Sequence, residues 1–300
     1  MNCSIEIIIC TEKGPLENMS KLLVSSIRLL DGVFKDIPIY SYTPRPDFAV
    51  SRETRDFFEN MGVELVDEVL NTKYVDYPLA NKPLACAHRA SHSEADYLLF
   101  LDSDTFFCGL PQLLVDGLTD ADVAMGPVDF NNIGTDLRFS SGESAYWSSL
   151  YSLLDAKPRK DVFTRIYKEK ILEYYNSGFV FVRRGSGLFG QWLKNFNRVM
   201  ASNLKPSKGI FFVEQSCLSA TLAQMNLKVL ELGTPYNYPI TAMTKRWRGY
   251  YPFSLSKIKH VHYHKLFKNT KGDNPIQGKL RSVDNGSKLN ALIKQYLLQD

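Results

Sequence analysis

No stretch of the 300-residue chain comes near the roughly 18 consecutive apolar residues that a membrane-spanning helix needs. The opening Met1-Asn-Cys-Ser-Ile-Glu6 has no basic flank, and Glu6 interrupts its apolar run, so no secretory leader is expected there. Cysteine is sparse. The five (Cys3, Cys10, Cys86, Cys108, Cys217) are odd in number, scattered and without C-x-x-C spacing. Most lie in apolar surroundings, which argues for buried free thiols in a reducing compartment and so for a cytoplasmic protein. Excess charge is missing too. A net +4 over this length gives no reason to expect nucleic acid as a partner.

What is present is ordinary in bulk: 44% hydrophobic and 23% charged residues describe a globular chain. Neither an internal repeat nor a convincing linker divides it, so one α/β domain is expected. Within it we distinguish a nucleotide-binding half (1–128), an acceptor and catalytic half (129–282), and a closing amphipathic helix (283–300). The opening alternates strand and helix: Ile5–Cys10, a helix carrying Met19, Leu22, Leu23, Ile27 and Leu30 on one face, Ile37–Thr43, a helix around 54–61, then Val63–Val66. This is how a doubly wound nucleotide-binding sheet begins. Yet the opening carries neither G-x-G-x-x-G nor the Walker G-x-x-x-x-G-K-[ST], so phosphate must be held by another device.

That device is expected at Tyr97-Leu-Leu-Phe-Leu-Asp102-Ser103-Asp104-Thr-Phe-Phe107. A short continuous apolar run suits a strand buried on both faces. Aspartates at its end have no packing reason to be there, because an unpaired buried charge is expensive. Ligands of open α/β sheets sit at the carboxyl ends of strands. Two carboxylates spaced i, i+2 at such an end can face one hard cation and the phosphates it binds. Upstream, Lys82 is either a phosphate or sugar contact or a solvated loop lysine. Downstream, residues 129–175 interleave Tyr146, Trp147 and Tyr151 with small polar residues. Those rings suit sugar faces, or, at helical spacing, the apolar side of a helix. Asn176-Ser-Gly-Phe179 leads into another strand, and the pair Glu214-Gln215 opens a helix. The last fifth is basic, with ten Lys or Arg against Asp273 between Lys245 and Arg281. Inside it His260, His262 and His264 alternate, which on a strand puts all three on one face.

Apolar strand, Asp-Ser-Asp, Asn-Ser-Gly-Phe, acid–Gln pair and late histidine strand come in an order that resembles the GT-A-fold glycosyltransferases. The likeness is to family 8, which contains lipopolysaccharide galactosyl- and glucosyltransferases and glycogenin, and it runs from Ile5 to Lys268. It implies a Rossmann-like, mostly parallel sheet flanked by helices. It also implies a nucleotide-sugar donor (a UDP-sugar), a divalent Mn²⁺ or Mg²⁺, a glycan or glycolipid acceptor, and retention of configuration. Carried over by residue, Asp102 and Asp104 would bind the metal, Asp102 also the ribose, and His262 would be the third ligand, with His264 and His260 as alternatives. Imidazole with carboxylate suits Mn²⁺ better than Ca²⁺. Ser103 lies between the two acids, Thr11 is placed to touch base or ribose, and Lys265 or Lys268 would replace the family's phosphate lysine. Asn176, Glu214 and Gln215 would line the donor sugar, with Glu214 standing where the family has Asp. An inverting enzyme would instead need a carboxylate base, with Glu214 or Asp129 available. The basic last fifth suggests peripheral contact with anionic lipid on the inner face of a membrane. Two rivals remain. Asp102-Ser-Asp104-Thr105 also fits a haloacid-dehalogenase-type phosphatase with Asp102 as nucleophile, and a non-catalytic nucleotide-sugar-binding protein would need the same site.

Overall fold

The computed structural model describes residues 3–140, 142–240, 255–264, 266–267, 280 and 285–298. The first half runs β1 (Ile5–Cys10), α1 (Pro15–Arg28), β2 (Ile39–Tyr42), α2 (Arg52–Asn60), β3 (Val63–Val66), α3 (Asn81–His92), β4 (Tyr97–Leu101), β5 (Thr105–Phe107), α4 (Gln112–Asp116) and β6 (Val123–Met125). The second runs α5 (Ser144–Leu153), β7 (Asp161–Phe163), β8 (Lys170–Leu172), β9 (Phe179–Arg183), α6 (Leu188–Ala201), α7 (Val213–Gln224), β10 (Val229–Glu231), β11 (Tyr238–Pro239), β12 (His260–His262) and α8 (Gly286–Leu297). Lys265, Lys268 and most of the basic stretch lie outside the described residues.

Seven strands form the central sheet in the order β10-β6-β9-β4-β1-β2-β3. All neighbours are parallel except β9, which runs antiparallel to both β4 and β6. The expected mostly parallel α/β sheet is therefore what the chain forms. The two halves read from the sequence share this sheet, because β9 and β10 come from beyond residue 129.

Burial follows the strand period. In β4, Tyr97, Leu99 and Leu101 pack with Leu23, Val24 and Ile27 of α1 and with Phe58 of α2. Leu98 and Phe100, pointing the other way, pack with Ala85 and Cys86 of α3, Trp192 of α6 and Leu218 of α7. Each such apolar side chain contributes about 1.5–3 kcal/mol by leaving water, which holds β4 in place as a rigid base for the acidic turn at its carboxyl end. Trp147 and Tyr151 are buried in this same core, so the aromatics of α5 are its apolar side and not sugar platforms. α1 begins with Pro15 at its first turn behind Gly14, whose φ of 106° suits only glycine well.

A small sheet, β11-β12-β5, lies beside the main one. Phe106, Val261, Tyr238 and Ile258 form a third core with Leu22 of α1 and with Leu289 and Ile293 of α8. The antiparallel pairing of β12 with β5 sets His262 opposite Thr105. Residues more than 150 positions apart in sequence thus meet at the end of β4.

Candidate active site

β1 and β4 are adjacent parallel strands from which the chain winds outward in both directions. The crevice at their carboxyl ends is where such sheets bind ligands. A cleft of about 890 Å³ opens there, lined among others by Glu12, Lys82, Asp102, Ser103, Asp104, Asp129, Asn176, Glu214, Gln215, His262 and His264. Its floor is a tight turn. The Asp102 N–H donates to the Gly178 carbonyl (3.0 Å), and Thr105 Oγ1 donates to the Asp102 carbonyl (2.7 Å). Ser103 Oγ donates to the carbonyl of Cys10 (2.6 Å), tying the turn to the end of β1.

The two aspartates have different partners. Lys82, from the first turn of α3, lies 2.6 and 2.9 Å from the two carboxylate oxygens of Asp102 and 3.2 Å from Ser177 Oγ. Burial alone would lower the lysine's pKa, but Asp102 and Glu214 nearby more than offset it and hold Lys82 charged. Asp104 faces His262 Nε2 at 3.1 Å and His264 Nδ1 at 4.0 Å. Against the effect of burial, His262 and then His264 keep the Asp104 carboxyl well below the usual carboxylate range. His262 moves in the opposite sense: burial pulls its pKa down, Asp104 pulls it up, and the net shift is upward.

Asp104, His262 and His264 each offer a ligand atom, all within 4.8 Å of one another. One carboxylate and two imidazoles form a donor set that fits a divalent first-row ion such as Mn²⁺. Asp102, paired with Lys82, is not one of that trio, although its Oδ2 lies 4.0 Å from His262 Nε2.

On the opposite side, the Glu214 carboxyl is 1% exposed, and its Oε1 has no hydrogen-bond partner. Burial pushes it up to about 7, with Lys82 pulling back and Asp102 adding to the rise. Gln215 is held at both ends, with one donor and one lone pair left over: its Oε1 accepts from Ser177 N–H (3.2 Å) and its Nε2 donates to Tyr174 Oη (2.7 Å). Asn176 Oδ1 accepts from Gly178 N–H (2.8 Å) and from Asn237 Nδ2 (2.9 Å). Gly178 has no room for a side chain. A Cβ there would stand 2.8 Å from Asp102 Oδ2, 2.8 Å from His262 Cε1 and 2.9 Å from Asn176 Oδ1.

The geometry thus brings Lys82, Asp102, Ser103, Asp104, Asn176, Glu214, Gln215, His262 and His264 to one cleft. It corrects other readings. Thr11 does not face base or ribose: it is fully buried, with its hydroxyl bonded to Ser20 Oγ (2.7 Å) and Ser41 Oγ (2.8 Å). Glu12, the next residue, takes the cleft wall instead, gripped by Arg45 (2.6 Å) and Asn81 (2.9 Å). The three histidines do not share a strand, since β12 ends at His262 and His264 sits in a turn at φ 49°. His260 is buried between the rings of Phe107 (4.6 Å) and Phe179 (5.0 Å) and is not part of the trio. Sequence reading gave Ser177 no role within its motif and missed Tyr174 and Asn237, which carry no local signal because their partners are remote in the chain.

A G-x-G-x-x-G does occur, at Gly185-Ser-Gly187-Leu-Phe-Gly190, running from the turn after β9 into the first turn of α6. Because β9 is antiparallel to β4, pairing Arg183 with Tyr97, this turn lies at the edge opposite the cleft. It is not a phosphate cradle for this site.

A family model described as the Rhodobacterales glycosyltransferase domain matches residues 7–226, which contain every cleft residue named above except His262 and His264. The chain belongs to that family. Most of it is thus a glycosyltransferase domain. No curated protein matches the chain. Among solved structures, the glycosyltransferase resembles GlyE of Streptococcus pneumoniae TIGR4, with a TM-score of 0.55 and 14% identity over 99% of this chain and 65% of that one. It also resembles the bifunctional glycosyltransferase WbbM in its apo form, with a TM-score of 0.52 and 15% identity over 99% of this chain and 50% of that one. The glycosyltransferase therefore spans half of the WbbM chain and under two-thirds of the GlyE chain. At such identities the likeness is one of fold. Among the described residues no helix is long and apolar enough to cross a membrane.

Proposed function

We propose that this glycosyltransferase moves a hexose from a nucleotide sugar, a UDP-sugar on the family-8 resemblance, to a glycan or glycolipid acceptor with the help of a divalent cation. The observation that carries this reading is the trio Asp104, His262 and His264, with ligand atoms within 4.8 Å, at the carboxyl edge of the sheet beside Lys82. A cation held there would act as a Lewis acid toward the departing diphosphate.

The chain's own groups do the rest. Lys82 keeps its charge in a desolvated site, where it is positioned to offset the negative charge growing on the leaving group. Asn176 and Gln215 line the cleft with amides pinned by backbone N–H groups, which pre-orients them toward sugar hydroxyls. Glu214, whose carboxyl burial pushes up to about 7, can donate or accept a hydrogen bond at the sugar. Asp129, a candidate base for an inverting route, is 3.5 Å from Arg165 Nε and 3.9 Å from His264 Nε2. Both of its carboxylate oxygens thus face other side chains, and the retaining route is the one we propose.

Thermal unfolding with a panel of nucleotides and nucleotide sugars, with and without Mn²⁺, tests the reading. Ligand that binds only the folded state must raise the melting temperature, by an amount that grows with ligand concentration over Kd. A metal-dependent rise with UDP or a UDP-sugar, absent in Asp104→Ala, is the expected result. A panel without any such shift would overturn it. The anomeric proton of the product, followed by NMR, decides retention.

A further inference from the structure

We propose that Asn237 is the positioning residue of this site: it sets which nitrogen of His262 faces the cation and couples that histidine to Asn176. The inference rests on the metal reading above. Asn237 is 2% exposed and sits at φ 49° in the turn entering β11. Both ends of its amide are used.

The orientation of the whole chain of bonds follows from one backbone group. The Gly178 N–H can only donate, so the Asn176 atom 2.8 Å from it is the carbonyl oxygen. That same oxygen lies 2.9 Å from the Asn237 amide, and only an NH₂ can face it there. The other end of Asn237 is therefore its carbonyl, 3.1 Å from His262 Nδ1. A carbonyl only accepts, so Nδ1 carries a hydrogen. Nε2, which donates to Asp104 Oδ1 (3.1 Å), is therefore the nitrogen that would give up its proton and offer its lone pair to a metal. The imidazole ring cannot turn over without setting a carbon against the buried Asn237 carbonyl. A histidine held through its other nitrogen in this way is a better-oriented and more basic ligand.

The link to Asn176 gives Asn237 a second task that can be separated from the first. An aspartate at 237 would still accept from Nδ1–H. Its other oxygen would meet Asn176 Oδ1, acceptor against acceptor, and Asn176 cannot flip because Gly178 N–H holds it.

The test is Mn²⁺ titration of the purified full chain without substrate, reading free Mn²⁺ by electron paramagnetic resonance, with transfer kinetics measured alongside. Loss of such a partner weakens metal binding about 10- to 100-fold. Asn237→Ala is therefore expected to bind Mn²⁺ that much more weakly, and Asn237→Asp to bind within a few-fold of wild type while its kcat falls. Unchanged Mn²⁺ affinity in Asn237→Ala, with affinity lost in His262→Ala, would overturn the role of Asn237 and leave the metal reading standing. Equal weakening in the Ala and Asp variants would also overturn it, because a merely structural asparagine is not rescued by a carboxylate. Absence of binding in the wild type removes the metal reading and this inference together.

Discussion

Replacing Glu214 by glutamine keeps its shape and removes its charge, and the consequence for stability has a definite sign. The carboxyl is 1% exposed, and burial moves it from an ordinary 4.5 up to about 7. A group whose folded value is raised binds its proton more tightly in the folded state. Its contribution is fully present below about pH 4.5 and is lost as pH climbs to about 7, where the native protein must ionise a desolvated acid. At 1.36 kcal/mol for each pH unit of that rise, the loss is about 3 kcal/mol. Glu214→Gln has no such proton. The stability of the variant minus that of wild type should therefore increase by about 3 kcal/mol between about pH 4.5 and pH 8, whatever constant offset the amide brings. Urea unfolding of both proteins without metal, at several pH values across that window, measures the difference from the midpoints. Lys82 pulls the acid downward, so Lys82→Met should move the window to higher pH. A difference between Glu214→Gln and wild type that stays flat with pH would refute the reasoning, because it would mean that Glu214 ionises as freely as in water.

Two other perturbations probe the scaffold. Gly178→Ala forces a methyl group to within 3 Å of Asp102, His262 and Asn176 at once. Misplacement on that scale can cost about 100-fold in rate, and initial-rate transfer assays should show it while far-ultraviolet circular dichroism stays native. The carboxylate of Glu173 is fully buried and clamped by Arg159, with contacts of 3.0 and 2.6 Å. Glu173→Ala leaves the arginine without its carboxylate, with only the Leu227 carbonyl still accepting from it. It should cost about 3 kcal/mol in urea unfolding, the low end for a broken buried pair because Arg159 still reaches solvent.

Much of the fold was legible because it is written in local periods. The strands at Ile5, Val63, Tyr97 and Phe179 show as short apolar runs, and α1 and α8 as apolar stripes, because burial on one or both faces dictates the pattern directly. The Asp102–Asp104 pair was legible for a related reason. Charges set into apolar sequence need an explanation that packing does not supply. The role of Thr11 was misread because position after a strand does not say which way a side chain turns, and its neighbours Ser20 and Ser41 come from two other elements.

The sequence by itself therefore determined the class of fold, the location of the acidic turn and the set of polar residues from which a site would be drawn. Tertiary structure alone decided how that set divides. Lys82 comes to Asp102 from a helix, leaving Asp104 to the two histidines delivered by the pairing of β12 with β5. His260, identical in type and only two residues from His262, is instead closed in by Phe107 and Phe179. Asn237 gained its place only because a turn left it between Asn176 and His262. The physical reason is the same in each case. Hydrophobic patterning is a property of neighbours along the chain, whereas hydrogen bonds and charge pairs depend on which remote atoms the folded core sets within about 3 Å of one another.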